Sequence, residues 1–185
     1  MSAGPSASKA RWLLLSDIHF KSHDLDRIIK TSQWIASLPK RYNIQRAIIC
    51  GDLLTSRTTQ QTHVLSACYR FLGQLSDQVP HLNVILGNHD LAYKREYKTS
   101  ALDALDIGRL SRYVTIHSSV SYQVWNGRRV LVLPFREDQR ELTAAVAGLS
   151  TQNAAETVAF AHLAIHRAVL QRYAVDQVTG RRDRV

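Results

Sequence analysis

The sequence predicts an α/β fold, and three observations carry that prediction. Four short apolar runs, Trp12–Leu15, Arg46–Cys50, residues 82–86 and Thr157–Ala161, read as strands, and each leads at once into Asp, Asn or His. Between the first three runs lie two stretches with apolar residues at helical spacing. Further on, Asn126-Gly127 separates two strand-like runs, as a tight hairpin turn does.

In chain order, residues 1–10 are small, polar and Pro-containing, and are expected to form a disordered tail. Residues 11–185 are expected to form one domain, a length sufficient for a sizeable core. The first strand, Trp12–Leu15, is followed by Asp17 and His19. Two apart in an extended segment, they project to one side, as a chelate needs. Leu25, Ile28, Ile29, Ile35 and Leu38 then share a helical face, with Asp24 as N-cap and Pro39 marking the end. The strand Arg46–Cys50 runs into Gly51-Asp52.

Residues 53–61 are polar and contain Thr55, Ser56, Arg57, Thr58 and Thr59. They suit either contact with a phosphate or the capping of the next helix. That helix carries Val64, Leu65, Cys68, Phe71, Leu72 and Leu75 on one face, and Pro80 follows. Residues 82–86 form the third strand, ending at Gly87-Asn88-His89-Asp90. Gly87 is expected to permit a sharp exit. Asn88 offers a neutral oxygen, His89 a group that titrates near neutrality, and Asp90 a carboxylate able to hold that imidazole. Two βαβ crossovers make the first three strands parallel neighbours and bring their loops to one edge, where open α/β sheets bind ligands.

Residues 91–100 interleave Tyr93 and Tyr97 with Lys94, Arg95 and Lys98. This suits either contact with nucleic acid or a solvated loop with its tyrosines packed down. Residues 120–125 and Arg128–Leu133 form the hairpin, which opens a second sheet. Leu142, Ala145, Val146 and Leu149 mark a helix from near Glu137, residues 150–156 read as a polar loop, and Thr157–Ala161 leads to His162.

Asp17, His19, Asp52, Asn88 and His162 suit a pair of divalent ions held by oxygen and imidazole ligands. Together, Asp17-x-His19, Gly51-Asp52, Gly87-Asn88-His89-Asp90 and His162 resemble the signature of calcineurin-like metallophosphoesterases. The resemblance implies a two-sheet sandwich flanked by helices with the metals at one end. It also implies a further Gly-His-x-His that gives one ligand to each metal. The chain reaches Val185 without that motif, so the domain is expected to be C-terminally incomplete, with closing strands of the second sheet missing. A looser likeness, to SbcD-type DNA repair nucleases, rests on the spacing from Gly51-Asp52 to the Gly87 loop and on Ala161-His162.

What the resemblance implies chemically is phosphoester hydrolysis. Two ions ~3.5–4 Å apart clamp the attacking and leaving oxygens, and hydroxide attacks phosphorus in line. Asp52 bridges the ions, Asp17 and His19 hold the first, and Asn88 and His162 hold the second. His89 protonates the leaving oxygen or stabilises phosphoryl charge, with Asp90 fixing its tautomer. Mn²⁺ is the expected metal, with Zn²⁺ or Fe²⁺ as alternatives. His166, four residues after His162, is the local candidate to replace a missing ligand. His23, His63, His81 and His117 read as ordinary surface or boundary histidines. The alternative reading is an inactive fragment, or a module that binds nucleic acid through an incomplete metal site.

A net charge of +9 and a pI near 9.9 suit a polyanionic partner such as DNA, or a generally basic surface. Cys50 and Cys68 make no disulfide framework, and Cys50 reads as a small core residue. No P-loop, GxGxxG or G-x-S-x-G elbow follows a strand, and no apolar run approaches the ~20 residues of a membrane span. The expectation is an intracellular protein, cytoplasmic or nuclear, with no membrane contact.

Overall fold

Two parallel crossovers build the first sheet. The structure, a computed structural model, describes residues 10–106, 113–163, 173–175 and 182–184. Strand β1 (Trp12–Leu15) leads through helix α1 (Leu25–Tyr42) to β2 (Arg46–Cys50), and α2 (Thr62–Ser76) leads to β3 (His81–Ile85). The strands are parallel, with Leu15 opposite Ile49 and Ile49 opposite Val84. A fourth parallel strand, β4 (Val114–His117), extends the sheet beyond β3. The sequence reading missed β4, whose four residues give too short a pattern to separate from a loop.

Alternation along β2 and β3 divides the layers. Ala47, Ile49, Leu82 and Val84 face α1 and α2, where Ile28, Ile35, Val64, Phe71, Leu72 and Leu75 complete one core. Ile48 and Ile85 face the opposite way, onto the second sheet.

That sheet is β5 (Ser121–Trp125), β6 (Arg128–Leu133) and β7 (Thr157–Ala161), in the order β5-β6-β7. The turn between β5 and β6 puts Asn126 at φ 51° and Gly127 at φ 76°, as a tight two-residue hairpin requires. Trp125, Val130, Val132 and Phe160 pack between the sheets. Leu131 and Leu133 point outward and are covered by Leu142 of α3 (Arg140–Ala147). The architecture is therefore a two-sheet α/β sandwich with helices on both outer faces. Among the described residues, Tyr173–Val175 and Arg182–Arg184 also pair as two short antiparallel strands.

Four local expectations are corrected. Pro39 lies inside α1, where the helix runs on through one more turn to Asn43, at φ 51°. Pro39 gives up the bond that its missing N–H would donate one turn back, while its carbonyl accepts from Asn43 N and from Ile44 N at 3.0 Å to close the end of the helix. Asp24 occupies the N-cap position but caps nothing, because its carboxylate pairs with Arg27 at 2.7 Å and Lys21 at 3.3 Å. Helix α3 begins at Arg140 rather than near Glu137. Residues 150–156 are not a loop: Ser150 caps a short helix, α4 (Thr151–Glu156), by accepting from Asn153 N at 3.2 Å. A six-residue polar helix carries no apolar period to read. Among the described residues, no helix is long and apolar enough to cross a membrane.

Candidate metal centre

The loops that leave β1, β2, β3 and β7 meet at the carboxyl ends of their strands. The β1 and β2 loops keep their parallel pairing past the strands: Asp17 N donates to Gly51 O at 3.1 Å, His19 N to Asp52 O at 3.0 Å and Phe20 N to Leu53 O at 2.7 Å. Within this pairing Asp17, His19 and Asp52 take φ of 54°, 52° and 54°. Non-glycine residues seldom hold that conformation, and three together mark backbone strain held by the surrounding fold. The extended geometry expected for Asp17 and His19 is thus corrected. Their side chains do converge, with His19 Nε2 3.7 Å from Asp17 Oδ1, but from left-handed backbone.

Asp52 is the hub. It is 4% exposed and sits between two imidazoles, His19 Nε2 at 3.7 Å and His162 Nε2 at 3.5 Å from its Oδ2. Its Oδ1 accepts from His89 N at 2.9 Å. Two glycines make this approach possible. A Cβ on Gly87 would lie 2.3 Å from Asp52 Oδ1, and one on Gly51 would lie 2.3 Å from His162 Nδ1. Gly51 also needs its φ of +87°, whereas Gly87 is required by close approach and not by a sharp turn.

The tautomers follow from backbone carbonyls. His162 Nδ1 faces Cys50 O at 2.9 Å, so it carries the proton and donates. Its Nε2 then presents a lone pair to Asn88 Oδ1 at 3.0 Å and to Asp52 Oδ2. Three acceptor atoms converge there with no proton assigned between them, which is the chemistry of a cation site. Ligand atoms of Asp17, Asp52 and His162 all lie within 4.8 Å of one another. His19 Nδ1 is buried without a partner among the described residues. The donor set therefore fits a divalent ion. Around Asp52, Asp17 and His19 come from the β1 loop, Asn88 from the β3 loop and His162 from the end of β7.

His89 stands beside this cluster, its ring 5.2 Å from that of His19. Its Nδ1 donates to Thr55 O at 2.7 Å, which leaves Nε2 as the free nitrogen. The expected pairing of His89 with Asp90 is therefore corrected. Asp90 turns inward and is 2% exposed. Its carboxylate accepts from Asp52 N at 2.8 Å, Gly87 N at 2.9 Å and Leu54 N at 3.1 Å. Burial pushes that carboxyl up, against the pull of the three amides. Asp90 is a clamp that joins the β2 and β3 loops, a positioning residue rather than one that faces substrate.

Several contributors left no signal in the sequence reading. Thr55 and Cys50 act through their carbonyls. Phe135 packs its ring 6.4 Å from His162, and its N–H donates to Leu86 O at 2.9 Å. Cys50 is half-buried and packs against the inter-sheet core, and burial pushes its thiol up to about 11. His166 lies outside the described residues.

Two flanking segments border the site. In residues 53–61, Arg57 Nη1 and Thr55 Oγ1 are shielded from water and lack partners among the described residues. In residues 91–100, the loop closes on itself through Ala92 N to Thr99 O at 3.0 Å and Ser100 Oγ to Asp90 O at 2.7 Å. Tyr97 is packed, with the Arg136 guanidinium 4.4 Å over its ring, while Tyr93 stands 61% exposed.

The family model for calcineurin-like phosphoesterases matches residues 10–176. A solved structure of a protein of unknown function from Aquifex aeolicus is similar at 13% identity and a TM-score of 0.39, over 73% of this chain and 68% of that one. No curated protein matches the chain.

Proposed function

Because the chain belongs to the calcineurin-like phosphoesterase family, whose members carry out metal-dependent phosphoester hydrolysis, we propose that it cleaves phosphodiesters of nucleic acid with two divalent ions that share Asp52. The observation that carries this reading is the convergence of Asp17, His19, Asn88 and His162 on the Asp52 carboxylate. Asp17 and His19 would hold one ion, Asn88 and His162 the other. Bound there, divalent ions supply Lewis acidity at the phosphoryl group and a hydroxide nucleophile at neutral pH.

The chain's own residues do the rest. Asp52 anchors both half-sites, and Asp90 fixes its loop through three amides. His89, held by Thr55 O through Nδ1, offers Nε2 to the leaving oxygen. In its doubly protonated form it passes the Nε2 proton to that oxygen as the ester bond breaks, leaving the neutral Nδ1–H ring on Thr55 O. Arg57 lies two positions beyond Thr55, and its guanidinium, whose Nη1 is buried without a partner, would turn outward to meet a non-bridging phosphate oxygen.

The nucleic-acid assignment is supported by the net charge of +9 and by the loop next to His89. Tyr93 is exposed there and followed by Lys94 and Arg95, a stacking surface beside phosphate-neutralising cations. The test is hydrolysis of single-stranded DNA and of a nitrophenyl phosphodiester with Mn²⁺, Zn²⁺ or Fe²⁺ added. Turnover of both, lost in Asp52→Asn, supports the reading. Retention of DNA without turnover would make the protein a binding module instead.

A further inference from the structure

Helix α1 packs one face on the first sheet and turns a basic, aromatic face to water. Its buried positions are Ile28, Ser32, Ile35, Ala36 and Pro39. On the opposite side, at ~100° per residue, Lys30, Arg41 and Trp34 lie within about 40° of one another, and Arg27 follows about 20° beyond. Trp34 is 61% exposed, whereas Trp12 and Trp125 pack with the inter-sheet core. A single exposed apolar residue is ordinary, but this one stands in a row of cations.

Those cations are largely unspent. No ion pair engages Lys30 or Arg41 among the described residues. The Arg41 guanidinium lies 5.4 Å over the Tyr42 ring, a stacking that leaves its edge donors for an oxygen anion. Arg27 pairs with Asp24 at 2.7 Å, but the same carboxylate also serves Lys21, so that end keeps a positive charge. Asp26, in the first turn, is the one carboxylate of α1 against Arg27, Lys30, Lys40 and Arg41.

The row suits an extended polyanion with flat apolar groups between its charges. From Arg27 to Arg41 the helix rises about 21 Å, a length that several successive nucleotides can follow. A duplex would meet the cations, but its paired bases offer Trp34 no open face for stacking. A bilayer would need an apolar helix face to enter it, and that face of α1 is already packed in the core.

We propose that the outer face of α1 binds single-stranded nucleic acid, with a base stacked on Trp34 and phosphates on Lys30 and Arg41. Because α1 follows the β1 loop, its first turn is the end nearest the metal centre, and a strand lying along the helix leads toward that centre. The ligand class rests on the nucleic-acid reading of the metal centre, while the binding itself needs no turnover.

The test is titration of the purified protein with an oligothymidylate in EDTA, so that neither metal nor cleavage enters. Anisotropy of a labelled strand gives the affinity, and tryptophan emission with an unlabelled strand reports stacking. Saturable binding with quenching is expected. Trp34→Ala should weaken binding about tenfold and abolish the quenching. Lys30→Gln combined with Arg41→Gln should reduce the slope of log affinity against log salt by about 1.4, the share of two neutralised phosphates. Turnover of a nitrophenyl phosphodiester should be the same with and without Trp34→Ala, and its absence from both would count against the metal centre alone. Unchanged oligonucleotide affinity in Trp34→Ala would overturn the proposal. So would a blue shift of the emission on phosphatidylserine vesicles with no response to the oligonucleotide.

Discussion

His162 Nε2 lies 3.5 Å from Asp52 Oδ2, although the two residues come from different sheets. The Cys50 carbonyl that orients His162 belongs to the strand that delivers Asp52. One backbone segment thus sets both the carboxylate and the tautomer of the imidazole facing it. His162→Gln should weaken divalent binding by at least about tenfold, read by calorimetric titration with Mn²⁺. Unchanged affinity would remove His162 from the ligand set.

Gly51 carries both a φ of +87° and the ring of His162 against its missing Cβ. Gly51→Ala forces a left-handed alanine and a methyl group 2.3 Å from His162 Nδ1. The expected cost is about 1–3 kcal/mol in unfolding free energy, with metal binding lost before the fold is. Urea unfolding beside metal titration separates the two effects.

His89 is held by Thr55 O and contributes only its backbone N–H to Asp52. His89→Ala should therefore lower kcat by about 10²–10³ while Mn²⁺ affinity is retained. Single-turnover kinetics at saturating Mn²⁺ give the comparison. A rate near that of the unaltered protein would take His89 out of the reaction.

Arg57→Ala should raise KM for a phosphodiester by roughly tenfold, the effect of one charge-assisted hydrogen bond worth about 1.5 kcal/mol or more. Inorganic phosphate should lose affinity as an inhibitor in parallel. Guanidinium added to the variant should restore part of both.

His117 supplies a pH dependence of stability remote from the metal centre. Burial, with Arg46 as the second cause, pushes its imidazole down to about 4. The unfolded chain takes up the proton near 6.5, so in the window from 6.5 to 4 the unfolded state holds more protons and stability falls as pH falls. The loss across that window is about 3 kcal/mol, and stability from this group is complete above 6.5. Urea titrations at pH 7 and 4.5 should show a smaller drop for His117→Gln than for the unaltered protein.

That histidine also marks where the sequence stopped being legible. Read alone, His117 was a surface or boundary residue, because nothing nearby in sequence showed that β4 pairs with β3 and turns it toward Trp125. The strands that carry Asp52 and Asn88 were readable because a parallel strand buried on both faces is an uninterrupted apolar run, and those before Asp17 and His162, though at sheet edges, are apolar runs too. Helix α2 was readable because Val64, Cys68, Phe71, Leu72 and Leu75 repeat at helical spacing. The roles of Thr55 and Cys50 were not, since a carbonyl acts through backbone position and any side chain can accompany it. Asp90 misled for the opposite reason. Its neighbour in sequence is His89, yet its carboxylate serves Asp52, Leu54 and Gly87.

The most direct test is Mn²⁺ stoichiometry of the purified chain by calorimetry, repeated in Asp52→Asn, with phosphodiester turnover measured on the same samples. Two ions per chain, with affinity at both sites and turnover lost together in Asp52→Asn, is the predicted result. One ion or none in the unaltered chain, or turnover that survives Asp52→Asn, would contradict a centre built around that carboxylate.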